Sequence, residues 1–304
     1  MHGPTTNTAN TNTTTKTKYT HFVSLGYRCS SAGILKSLGL KQASYPFDWL
    51  VSRPPIIEHC IATGFAEFLN PRNYFNKKST TNNYTTLDPS SSQWVCDEMI
   101  CVNDYYETAF DTVNLDFYLA RPLTAAKDAY AHRLVMNHHD ITKQTDSEYY
   151  GRCVERWNQL FRSSVAPISY TTRNPNQILT LYIHPAIFLE CYEQAKYHIR
   201  EDIRRFHRSL SASVVNAVAG SKHDGIYIIP VKTPYEYPTH HCAKYVLEEQ
   251  EDDPDTPHCR ICILWANRDF IDAGEIFMGK SYVETYVVKD YVSQVAQNGL
   301  PSII

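Results

Sequence analysis

Apolar positions along this chain follow two rhythms. Short continuous runs, Phe22 to Leu25, Ile178 to Ile183, Gly225 to Val231 and Arg260 to Trp265, read as strands buried on both faces. Between them apolar residues recur at three- and four-residue steps, the spacing of one helix face. Ala32, Ile34, Leu35 and Leu38 predict a helix over 30–38, stopped by Gly39. Pro54-Pro55 opens a second, with Ile56, Ile57, Cys60, Ile61 and Phe65 on one face. Cys153, Trp157, Leu160 and Phe161 predict a helix over 147–163, and residues 186–210 and 283–296 read the same way. Strands alternating with helices predict an α/β fold with a mainly parallel sheet flanked by helices.

The remaining stretches are less regular. Residues 1–18 are nearly all Thr, Asn, Lys and Gly and predict a disordered N-terminal tail, leaving 19–304 as a single α/β domain. The pattern predicts an irregular surface loop over 68–92, a strand pair over 94–102, no clear element over 103–137 and a mobile acidic loop over 248–255.

Composition adds exclusions. With 43% hydrophobic residues and a net charge of -3, the chain has a globular balance and no global basic field for nucleic acid. No apolar run is long enough to span a bilayer and no signal-peptide pattern opens the chain, so a cytoplasmic protein is expected. Nine cysteines scattered over the length fit reduced thiols better than a disulfide framework. His240-His241-Cys242 and His258-Cys259 with Cys262 have the residue types for zinc, but only one half is a Cys-x-x-Cys pair, so no metal is expected. Neither a phosphate-binding Gly-x-x-x-x-Gly-Lys loop nor a Gly-x-Gly-x-x-Gly fingerprint occurs, and no cofactor is implied.

The chemistry centres on Ser24-Leu25-Gly26-Tyr27-Arg28-Cys29. Strand, glycine turn and helix place Cys29 in a first helical turn, where unpaired N–H groups and the helix dipole favour a thiolate. Downstream lies Tyr45-Pro46-Phe47-Asp48-Trp49-Leu50. The pairing of these two segments resembles the putative papain-like cysteine peptidase family, a domain of unknown function met in bacteria and large DNA viruses. The resemblance implies a Cys29 nucleophile and a later histidine. His138-His139-Asp140, ahead of Tyr149-Tyr150-Gly151-Arg152, matches the family order, with His139 or His138 as base and Asp140 or Asp48 as orienter. True papain-type enzymes carry a glutamine before the nucleophile, and none stands here, so Ser24 or the N–H groups at Gly26 would line the oxyanion hole. Trp49 and Arg152 are candidates for the substrate side. The substrate implied is a peptide, acyl or glycan compound. A glycosyltransferase taking a sugar nucleotide at the same helix start, or a non-catalytic binding module, are the alternatives.

Overall fold

The computed structural model describes residues 17–26, 29–78, 99–106, 134–136, 139–161, 175–184, 187–217, 220–233, 247–249, 256–267 and 283–300. The expectations for the N-terminal tail before residue 17, for His138, for His240-His241-Cys242, for most of 79–137 and for 250–255 lie outside these residues.

In chain order the elements are β1 (His21–Ser24), α1 (Cys29–Ser37), β2 (Leu50–Val51), α2 (Pro54–Ala62), α3 (Ala66–Leu69), β3 (Tyr74–Lys78), β4 (Met99–Asn103) and β5 (Val135–Met136). There follow α4 (Gln144–Phe161), β6 (Gln177–Ile183), β7 (Ile187–Phe188), α5 (Leu189–Ala217), β8 (Lys222–Thr233), β9 (Leu247–Glu249), β10 (Cys259–Asn267) and α6 (Val283–Asn298).

The main sheet has the order β1-β6-β8-β10-β9, with the short β7 added on β8. β1, β6, β8 and β10 are mutually parallel, and β9 is antiparallel to β10. The fold is thus α/β with a mainly parallel sheet flanked by helices. Continuous apolar strands are what such a sheet needs, because helices cover both faces. Side chains alternate between two cores accordingly. Phe22, Leu179, Leu181, Ile183, Ile226, Ile228, Cys262 and Leu264 pack towards α1 and α6. Val23, Ile178, Tyr182, Tyr227, Ile229, Ile261 and Ile263 pack towards α2, α4 and α5.

A second, antiparallel sheet of order β2-β5-β4-β3 shares the latter core through Leu50, Cys101 and Met136. It corrects the expected loop over 68–92, whose start holds part of α3, a 3-10 turn at Pro71–Asn73 and β3. The acidic segment also begins differently. Leu247, Glu248 and Glu249 pair with Leu264, Ile263 and Cys262, because the outer edge of β10 offers unpaired backbone groups that outweigh the local charge. The helix expected to end near residue 210 continues to Ala217 and buries Val214. No helix among the described residues is long and apolar enough to cross a membrane.

Candidate active site

The Cys29 turn is built from β1, β6 and the segment before α2. Leu25 N–H still bonds the Leu181 carbonyl at 3.0 Å, after which the backbone turns at Gly26 with φ of +90°. A Cβ at Gly26 would overlap Ser52 Oγ, which donates to the Leu25 carbonyl at 3.1 Å, so only glycine fits without displacement. The Gly26 carbonyl then accepts two bonds, from Ile183 N–H at 3.2 Å and from Ser31 Oγ at 3.0 Å. Ser31 Oγ also lies 2.6 Å from Ser24 Oγ. These bonds fix α1 against the C-terminal end of β1, and Cys29 is the half-buried first residue of that helix. Its neighbours in the first turn, Ser30 and Ser31, are buried.

Asp48 belongs to a different group. It is wholly buried, pairs with Lys41 Nζ and accepts Tyr45 N–H at 2.8 Å. Burial pushes its carboxyl up to about 6, against the pull of Lys41. Arg156 of α4 reaches the Ser44 carbonyl at 3.2 Å and Cys153 Sγ at 3.8 Å. Burial also raises the Cys153 thiol, with the Asp48 charge pressing the same way. Lys41 N–H bonds the Leu35 carbonyl near the end of α1. Cys29 and Asp48 therefore sit by opposite ends of a nine-residue helix, a rise of about 12 Å. Trp49 is half-buried, its ring 6.0 Å from Lys36 Nζ.

His139 stands at the entrance to α4. Its Nδ1 lies 3.3 Å from Asp146 Oδ1, and its ring stacks on Tyr149 at 4.8 Å and meets Tyr150 edge-on at 5.4 Å. Asp146 Oδ2 accepts Asp140 N–H at 2.7 Å, which ties the loop to the helix start. Burial alone would raise the Asp140 carboxyl, but bonds from Thr142 and Asn76, with Lys143 nearby, hold it below the usual range. Tyr149 in turn lies against Ser44, Cys153 and the Asp48 charge. The bonds of His139 thus lead to the Asp48 end of α1. The register agrees, because β5 runs antiparallel to β2 with Met136 opposite Leu50 and Val135 opposite Val51. From Val135 to Met136 the strand therefore runs away from Ser52, the residue that supports the Gly26 turn. Arg152 is on the exposed side of α4.

Two groups escaped the sequence. His184 follows β6 directly, is 1% exposed, and its backbone N–H donates to the Ile228 carbonyl at 2.7 Å. A histidine ending an apolar run was the available signal, since ligands bind at the C-terminal ends of parallel strands. At the opposite end of the sheet lies a buried network. His207 and His223 stack at 4.6 Å, Ser211 Oγ lies 3.2 Å and 2.7 Å from their rings, and Thr180 Oγ1 is 2.9 Å from His223 Nε2. His207 and Ser211 are one turn apart on α5, but nothing local marks His223 and Thr180 as their neighbours. Cys259 and Cys262 join different cores, on opposite faces of β10, so the two thiols cannot share one ion. Among the described residues no group of three or more His, Cys, Asp or Glu side chains could hold a metal.

No curated protein and no solved structure matches the chain. A family model described as "putative papain-like cysteine peptidase" matches residues 20–183, which include the Gly26 turn, Cys29, Asp48, His139 and α4. With more than half of its length matched, the chain belongs to the putative papain-like cysteine peptidase family.

Proposed function

We propose that this protein is a cysteine-dependent hydrolase or acyl-transfer enzyme with Cys29 as its nucleophile. The observation that carries this reading is the placement of Cys29. It is a half-buried thiol at the first position of α1, just past the C-terminal end of a parallel strand. There the helix dipole favours thiolate and the first-turn N–H groups face the same space. In the reaction the Cys29 proton passes to an imidazole and sulfur bonds the acyl carbon. The bond to the leaving amine or alcohol then breaks as that group takes the proton back, and water or a second acceptor cleaves the thioester. The oxyanion would be held by first-turn N–H groups, since Ser24 Oγ is engaged by Ser31. His139, oriented by Asp146, with Asp140 beside it, is the imidazole drawn from the sequence. Asp48, Trp49 and Arg152 complete that proposed set.

Limited alkylation between pH 5 and 9, with peptide mapping, tests the nucleophile. Cys29 is expected to label first, with an apparent pKa below the ordinary thiol value of about 8.5. Cys29→Ser is expected to abolish turnover of activated acyl esters or peptides. Labelling of Cys29 only after denaturation, with Cys29→Ser as active as the parent, would overturn the reading. Sugar-nucleotide binding lost in Arg152→Ala but kept in Cys29→Ser would favour a transferase instead.

A further inference from the structure

We infer that His184, rather than His139, is the base that takes the Cys29 proton; this rests on the Cys29 reading above. The Gly26 carbonyl is the common anchor. Ile183 N–H, one residue before His184, and Ser31 Oγ, two residues after Cys29, bond that one oxygen at 3.2 Å and 3.0 Å. Both segments are therefore held to the same point at the strand ends, and from it each of the two residues is a short step away along the chain. The parallel register says the same. Ser24 is opposite Leu181, so two further steps bring Gly26 level with Ile183, and adjacent strands lie about 4.8 Å apart.

His184 stands on the Tyr182 face of the sheet, the two rings 6.2 Å apart, whereas α1 covers the other face. The rim where the strands end is the place where the imidazole and the α1 start can meet. A proton taken by so buried a ring leaves an imidazolium with little water around it, and the thiolate left beside it offsets that cost. His139 is tied instead to Asp146 and Tyr149, beside the Asp48 end of α1. The family match ends at residue 183, so His184 lies just beyond it.

The test reads the Cys29 alkylation profile in the full chain. Wild type is expected to show a depressed apparent pKa, and His184→Asn to raise it towards about 8.5, slowing labelling at pH 6.5 at least tenfold while the melting curve stays cooperative. A second measurement needs no variant. Blocking Cys29 with iodoacetamide removes the thiolate, and the NMR titration of the His184 ring is expected to move to lower pH. An unchanged profile in folded His184→Asn, or an unchanged His184 titration after blocking, overturns the assignment and leaves the nucleophile standing. A depressed pKa lost in His139→Asn and kept in His184→Asn also overturns it. An ordinary thiol profile in wild type removes the nucleophile itself and His184 with it.

Discussion

Gly26 carries more of the site than its size suggests. Its φ of +90° is one that side chains strain to adopt, and any Cβ there meets Ser52 Oγ. Gly26→Ala is expected to cost about 1–3 kcal/mol and to slow Cys29 alkylation, both read from urea unfolding and labelling of the same sample. The break at Gly26 and the cysteine beyond it were legible in the sequence, because an apolar run, a glycine and helical spacing are all local signals. The partner of Asp48 was not, since Lys41 reaches it only through the turn at 43–48. Two charges held so far from water depend on each other. Asp48→Asn alone, which leaves Lys41 uncompensated, is expected to lose about 3–5 kcal/mol, and the Lys41→Met/Asp48→Asn double variant to recover much of it. Thermal melts at pH 7 of both single variants and the double decide this, and losses that simply add would mean the pair is not coupled.

Among the elements, α4 shows how an amphipathic pattern becomes a core. Trp157 is fully buried, stacks on Phe161 at 4.1 Å and meets Phe47 edge-on at 5.3 Å, so one helix joins the Tyr45–Leu50 segment to the main sheet. Trp157→Ala is expected to destabilise by about 3–5 kcal/mol, measured as a shift in denaturant midpoint at constant slope. The helix and the four parallel strands were readable because each is long enough to repeat its rhythm. β2 and β5, with two residues each, repeat nothing, and the second sheet forms only through pairings between distant segments. For the same reason His184 went unread. Its value comes from the Ile183 bond to Gly26, made across β1 and β6 rather than along either.

At the scale of the molecule, the buried histidine pair makes stability depend on acid. Burial lowers His207 to about 3 and holds His223 well below its ordinary value, and the nearby His258 presses both further down. An unfolded chain takes up these protons near pH 6.5, so the stability of the neutral pair is complete above that value. It is lost as pH falls from about 6.5 towards 3, at up to about 1.4 kcal/mol per unit for each ring. Asp48, raised to about 6, and Glu58, also raised by burial, contribute the opposite slope, whereas the lowered His21 ring and Asp140 carboxyl add to the loss in acid. Urea midpoints are therefore expected to fall from pH 7 to pH 4.5, and less steeply in His207→Gln. A flat profile in the parent protein would show that water reaches the pair in the folded state.

The placement of β1 also sets a timetable for synthesis. In the main sheet its neighbour is β6, and Thr20 and Gln177 at their bases are 157 residues apart. At about 5–20 residues per second the ribosome needs roughly 8–30 s to deliver the second strand after the first. Throughout that interval Phe22 and Val23, buried in the finished protein, have no sheet to enter, and the Gly26 carbonyl lacks the Ile183 amide that helps fix the turn. The segment that carries Cys29 is thus made well before the strand whose amide helps fix its turn. A nascent chain released before residue 177 would carry a cysteine without its setting, and a chaperone-accessible apolar strand beside it.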